Sequence, residues 1–203
     1  MTVRRGEDWG GRAARPADVV EVADDAAGAA LVDAARREGR PAPVLGLRGG
    51  DLRRTLGGGA PVDHLADSVG EYPIDVGLAV LDGVERAFVA HLVARGSWWR
   101  GEVVAAMNAE HFGTWDVAPR GHPNDGRLDV LHVVDLGLGD RWKAWRRLPT
   151  GTHVPHPGIA LRPTEAVDLA LRRPLTVWLD GRRAGTTDHL VVRVEPDALT
   201  VCI

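Results

Sequence analysis

Cysteine is nearly absent. Cys202, beside the C-terminus, is the only one, which excludes a disulfide framework and any cysteine-based zinc site. Lysine is equally scarce: Lys143 stands alone among 25 basic residues, so a lysine phosphate anchor or Schiff-base former is missing almost everywhere. No run approaches the roughly 20 apolar residues of a membrane span. The opening "MTVRRGEDWGG" also lacks the apolar core of a secretion signal. A net charge of −3 offers no basic excess for general nucleic-acid binding. These absences lead us to expect a cytoplasmic protein with no nucleic-acid partner and at most peripheral membrane association.

What is present is an ordinary globular composition, 44% hydrophobic and 26% charged over 203 residues, enough for one domain or two small ones. Residues 1–17 are polar and rich in Gly and Arg, and read as an irregular lead-in. "DVVEV" (18–22) and "PVLGL" (43–47) read as strands on either side of a helix, "DDAAGAALVDAARREG" (24–39). Acidic residues open that helix, Arg36 and Arg37 fall in its last turn, and Gly39 ends it. The unit is β-α-β, so its two strands are expected parallel and adjacent. From about residue 72 the texture changes. "IDVGLAVLDG" and "RAFVAHLVARG" read as a hairpin around Gly83, followed by six short strands with Gly, Pro and Asp between them. One short helix, 139–148, interrupts them. The expected class is α+β: a short Rossmann-like β-α-β remnant over residues 1–70, then an antiparallel β-sandwich over 71–203, joined through the Gly- and Pro-rich stretch 58–72.

Four segments have the chemistry for a site. In "HPNDGRLDV", Asp125 and Gly126 favour a tight turn and Asp129 follows in a strand. The turn reads either as a plain strand connection or as a hard-cation site with carboxylate and carbonyl oxygens. "GTHVPHPG" (151–158) holds His153 and His156, but its prolines forbid the helix a histidine metal pair would use, and a stiff loop is the simpler reading. A phosphate-facing loop is the middle option, given Arg146 and Arg147 nearby. "WLDGRRAG" (178–185) is a hairpin turn that holds Asp180 at a strand end, where a base or metal-linked group could sit. "GLRGGDLRRTLGGG" (46–59) follows a strand and is glycine-rich, as loops that aim backbone N–H groups at phosphate are, yet it fits neither common nucleotide motif. "SWWRG" (97–101) reads as packing at one end of the sandwich.

In order, these pieces resemble the diacylglycerol kinase and sphingoid-base kinase superfamily of ATP-dependent lipid kinases, best in its C-terminal β-sandwich half. "MNAEHFGTWDVAPRGHPNDGRLDVLHV" is similar to that family's run of Asn, aromatic-Gly-Gly, Ala-Pro and a "DDG-LLDV" turn. "LPTGTHVPHPG" and "LTVWLDGRRAG" resemble its Gly-x-His and "DGE" segments, and "PVLGLRGGDLRRTLGG" its "P-GTGNDFAR-LG" loop. The resemblance implies a Mg²⁺ ligand at Asp125 supported by Asp129, and Asp180 near the reacting hydroxyl. ATP would meet Asp25 in "VADDAAG" and Arg48, Gly49, Gly50 and Asp51 in the second loop, with a lipid or phosphorylated small molecule as partner.

The departures point the other way. The family's "GGDGT" loop reads "VADDAAG" here, and alanine methyls obstruct the glycine geometry, at about 1–2 kcal/mol for each left-handed alanine. "GTGND" has lost its Thr and Asn, and "DGE" has become Asp180-Gly181-Arg182. Phosphoryl transfer is almost wholly positioning and electrostatics, and losing one preorganised donor commonly costs about 10²–10³ in rate. The expectation is therefore a lipid-kinase-like binding or interaction module without catalysis. Two alternatives stay open: an active kinase in which Arg48, Arg53 and Arg54 replace the glycine-loop contacts, and a homo-oligomer built on the surface the shortened half uncovers.

Overall fold

A computed structural model describes residues 9–203. The part of the expected lead-in that covers residues 1–8 lies outside the described residues. The rest of it is corrected: β1 (Gly11–Ala14) pairs antiparallel with the start of β4 (Ser68–Leu81). "GRAA" has no strand alternation of its own. It pairs because β4 is long enough to offer a free edge, and because Trp9 anchors the approach by donating from Nε1 to the Pro73 carbonyl at 2.8 Å.

The β-α-β unit forms as expected. β2 (Val20–Val22) and β3 (Leu45–Leu47) are parallel neighbours joined by α1 (Asp25–Arg37). Asp24 caps α1 by accepting from the Ala27 N–H at 2.7 Å, and Val32 and Ala35 bury on the sheet side. The glycine-rich segment 46–59 holds one short helix, α2 (Asp51–Thr55).

The remainder is mostly antiparallel sheet: β4, β5 (Val84–Phe88), β6 (His91–Arg95), β7 (Val103–Met107), β8 (His111–Phe112), β9 (Trp115–Asp116), β10 (Leu128–Val133), α3 (Leu138–Arg147), β11 (Ile159–Thr164), β12 (Ala166–Leu179) and β13 (Arg182–Cys202). The main sheet runs β1-β4-β13-β12-β6-β7-β10-β11, with β5 on β4 and β3 parallel to the end of β13. Asp82-Gly83 and Asp180-Gly181 turn the two hairpins with all four residues at positive φ, the geometry that matches strand twist.

The expected hairpin around Gly83 is half right. β4 and β5 form it, but "RAFVAHLVARG" is not one strand. It breaks at Val89-Ala90, and β6 leaves to pair with β7 and β12. Two expected short strands, "EAVDLALR" and "LTVWLDG", are one strand, β12, with a bulge between Ala170 and Leu175.

Side-chain alternation along β6, β7 and β10 serves two cores. Leu92, Ala94, Val104, Ala106 and Leu128 face the sandwich interior with residues of β4, β12 and β13. Val93, Val103, Ala105, Met107, Leu131 and Val133 face the other way, under α3. A third cluster packs Val22, Val32, Leu45, Leu47 and Leu52 against Ile74, Val76, Leu78 and Val201, joining the β-α-β unit to the sandwich.

Candidate functional site

Three carboxylates and an imidazole meet where the β-α-β unit abuts the sandwich: Asp25, Asp51, Asp180 and His91. Asp25 opens α1 and Asp51 opens α2, and the packing of α1 against the β3–α2 turn sets them face to face. Gly50, at φ +101, makes room: a Cβ there would stand 2.3 Å from the Asp25 carboxylate. Asp25 accepts the N–H of Asp51 at 2.5 Å and that of Leu52 at 3.4 Å. Asp51 accepts the Gly113 N–H at 2.8 Å and lies 2.9 Å from His91 Nε2.

Asp180 stands at the far end. The chain between β5 and β6 exposes three consecutive N–H groups, and those of Val89, Ala90 and His91 all donate to Asp180 at 2.9 Å. Its own N–H donates to the His91 carbonyl at 2.9 Å. Asp180 therefore joins the β12–β13 turn to the β5–β6 break.

Burial governs the electrostatics. It lifts the Asp25 pKa to about 7, helped by the Asp180 and Asp51 charges and opposed by the Asp51 N–H and by His91. Burial likewise raises Asp180 against the pull of His91 and the three N–H donors. For His91, burial works against the charged form, but the Asp51 bond and the charges of Asp180, Asp51 and Asp25 outweigh it, and its pKa rises.

Of the expected nucleotide-facing residues, Asp25, Gly50 and Asp51 are brought together with Asp180. Arg48 points elsewhere, donating to the Asp63 carbonyl at 2.7 Å. Gly49 is a close-approach position, where a Cβ would come within 2.7 Å of the Ala23 carbonyl. Arg53 donates to the carbonyls of Leu47 and Gly58, and Arg54 to that of Gly113.

The turn at Asp125 belongs to a neighbouring cluster. Asp125 accepts the Arg127 N–H at 3.0 Å. Burial raises its pKa, and burial with the Asp125 charge lifts that of Asp129 to about 6. Asp75, which the sequence reading passed over, is fully buried and accepts N–H groups from Gly126 at 2.7 Å and Asp197 at 3.0 Å, fixing the turn to β4 and β13. Asn108 links the two clusters, donating to the carbonyls of Asp75 and Val89 at 2.8 Å. Among the described residues no three His, Cys, Asp or Glu side chains converge as a metal cage. Asp125 and Asp129 are close enough for the charge of one to raise the pKa of the other, and they are the carboxylates that could hold a hydrated cation. His91 and Asp75 were legible only as single polar residues inside apolar strand runs, "VAHLV" and "PIDVG".

Beside the acidic cluster lies an apolar cavity of about 100 Å³. Its lining includes Met107, Phe112, Trp115, Leu131, Leu148 and His153. That is somewhat less than the ~150 Å³ that accepts one benzene ring, so the end of an aliphatic chain fits and a whole lipid does not. Phe112 separates cavity from cluster, its ring 4.6 Å from that of His91. His153 is 2% exposed and neither ring nitrogen makes a well-formed hydrogen bond, so burial lowers its pKa despite nearby Asp116 and the Val117 backbone. The histidine pair read from "GTHVPHPG" is thus one buried cavity residue and one loop residue. Trp98 packs here as expected, while Trp99 stays 43% exposed.

Residues 72–203 match the YegS C-terminal NAD kinase beta sandwich-like domain family. Three solved structures, all from Bacillus anthracis str. Sterne, share the fold. A putative diacylglycerol kinase is 13% identical over 91% of this chain and 77% of its own, with a TM-score of 0.64. Another structure so described is 14% identical over 79% and 69%, at 0.58. A third, described as a diacylglycerol kinase, is 17% identical over 79% and 66%, at 0.53. The likeness to these structures is one of fold. No curated protein matches the chain.

Proposed function

The chain belongs to the YegS C-terminal NAD kinase beta sandwich-like domain family, and from that premise we propose that it binds an amphiphile as a lipid-kinase relative without transferring phosphate. One observation carries this reading: both rows of backbone N–H groups that border the site are already engaged by internal carboxylates. Asp25 takes the two that open α2, and Asp180 takes the three at the β5–β6 break. Backbone amides favour phosphate only while they are free to donate. A triphosphate would have to displace two buried carboxylates and then lie among Asp25, Asp51 and Asp180, all of one charge sign when ionised.

The active-kinase alternative needs arginines to replace those amides. Arg48, Arg53 and Arg54 are each committed to backbone carbonyls instead. ATP therefore does not fit the residues present. Asp125 and Asp129 are the pair that would hold Mg²⁺, whose role there would be to neutralise two crowded carboxylates.

For the ligand, the cavity favours the end of an aliphatic chain, and the partly buried Asp51 near Phe112 favours a hydroxyl or other hydrogen-bond donor at its polar end. Calorimetry with ATP and Mg²⁺ tests the first half: no saturable heat is expected. A medium-chain monoacylglycerol titrated into the same protein tests the second, with a rise in melting temperature expected. Micromolar ATP binding accompanied by phosphorylation of a lipid alcohol would overturn the proposal.

A further inference from the structure

Helix α3 presents three different stripes over ten residues. Arg141 and Ala144, with Leu148 just beyond, turn inward and line the apolar cavity. Leu138, Trp142 and Trp145 follow one another at helical spacing on an outer side and are 55%, 49% and 44% exposed. Lys143, Arg146 and Arg147 occupy the remaining side and are all exposed. Trp99 extends the apolar stripe from the neighbouring loop, its ring 6.1 Å from that of Trp145.

The helix is held firmly enough to act as a platform. Arg141 donates to the carbonyls of Leu136, Trp98 and Gly101, tying α3 to the loop that carries Trp99. Exposed apolar side chains scattered singly need no explanation, but three tryptophans and a leucine gathered on one rigid surface do.

We propose that this surface docks on an anionic phospholipid bilayer, with Trp99, Leu138, Trp142 and Trp145 in the interface and Lys143, Arg146 and Arg147 toward the headgroups. Tryptophan is the side chain that settles at a membrane–water boundary, where its ring is apolar and its N–H can stay wet. A basic stripe beside an apolar one is the pattern of helices that lie in that plane. It stands out on a chain whose net charge is −3. Asp140 offsets Lys143 at 3.0 Å, which leaves the two arginines as the main contribution. Arg146 stacks over Trp142 at 4.9 Å, so its charge sits at the level of the indole, where a lipid phosphate would meet both. Docking so placed would also bring the cavity roof to the source of amphiphiles, although the contact itself requires neither the cavity nor the acidic cluster.

The test uses the full chain with vesicles of phosphatidylcholine, alone or with about a third phosphatidylglycerol. Co-sedimentation should be strong on the mixed vesicles at low salt, fall as salt rises, and come with a blue shift of tryptophan emission. Each surface basic residue contributes about 1 kcal/mol, or roughly a fivefold change in partitioning. Arg146→Gln combined with Arg147→Gln should therefore weaken binding about 25-fold. Trp142→Ser with Trp145→Ser should remove the blue shift and most of the binding, while the melting temperature stays near that of the parent because both rings are half exposed. Equal binding to neutral and mixed vesicles, or binding that survives both pairs of substitutions, would overturn the proposal. So would a concentration-dependent dimer that the tryptophan pair abolishes, which would assign the surface to a second copy. Monoacylglycerol stabilisation in detergent-free buffer reads the cavity separately, so failure of one idea is not failure of the other.

Discussion

Asp25 engages two backbone N–H groups yet is buried beside other carboxylates, and the outcome of that contest sets its protonation. Burial first, then the charge of Asp180, lifts its pKa from 3.8 to about 7. The folded chain thus holds this proton more tightly than the unfolded chain. Its stabilising contribution is complete below the ordinary value of 3.8 and is lost as pH rises through about 7. At ~1.4 kcal/mol per unit the gap is on the order of 4 kcal/mol. Urea unfolding should therefore show stability falling between about pH 4 and pH 7, because the unfolded chain has released the proton there and the folded chain has not. Burial lifts Asp75 and Asp129 to about 6, so they add to the same slope, and it raises Asp180 in the same direction. In Asp25→Asn the slope should be shallower. At the acidic end the variant should be less stable than the parent, since an amide offers one oxygen where the carboxyl group offers two. An unchanged slope would mean that Asp25 is not among the groups that titrate.

Within the elements, the β4–β5 hairpin depends on a glycine. Gly77 lies directly across from Phe88, and a Cβ on it would stand 2.1 Å from the end of that fully buried ring. Glycine inside a strand commonly marks such a close approach. Gly77→Ala should cost about 1–3 kcal/mol, the usual range for overpacking a core. Phe88→Leu in the same chain should recover part of that loss, so a double-mutant cycle should give a coupling of about 1 kcal/mol. Strictly additive effects in thermal melts would show that the two residues do not compete for space. The elements that could be read from sequence are those whose signals are local: α1 with its Asp24 cap, and the Asp-Gly hairpins. Where the reading failed, a distant partner decided. Nothing in "AFVAHLV" marks a strand break; the three N–H groups left at Val89, Ala90 and His91 are tolerable there only because Asp180 arrives from the far end of β12. Arg172-Arg173-Pro174 reads as a turn, but with β13 paired on both sides of it the stretch becomes a bulge within one long strand. β11 carries Pro163, which argues against a strand, and the proline is accepted because β11 closes the edge of the sheet. The acidic site was half legible for the same reason. Asp51, Asp125 and Asp180 stand beside glycines that announce turns, whereas His91 and Asp75 lie inside apolar runs and acquire meaning only once the sheet curls.

Across the whole molecule, the β-α-β unit and the sandwich share a core and a polar seam. Val22, Leu45, Leu47 and Leu52 pack with Ile74, Val76, Leu78 and Val201, and β3 adds to the sheet beside the last residues of β13. Asp51 reaches across to His91 and to the Gly113 N–H, and Arg54 to the Gly113 carbonyl. A boundary this apolar does not open alone, because each side would expose surface worth roughly 25 cal/mol per Å². Unfolding should accordingly be one transition. Far-ultraviolet circular dichroism reports mainly the strands of the sandwich, while hydrogen exchange at the amides of α1 reports the β-α-β unit. The two should give the same midpoint in urea, with α1 protected to the global limit. Earlier exchange of α1 would mean that the shared core is too weak to bind the units together. The acidic cluster, which draws residues from both, would then open along with it, and the carboxylates that now fill the two amide rows would be free to leave them.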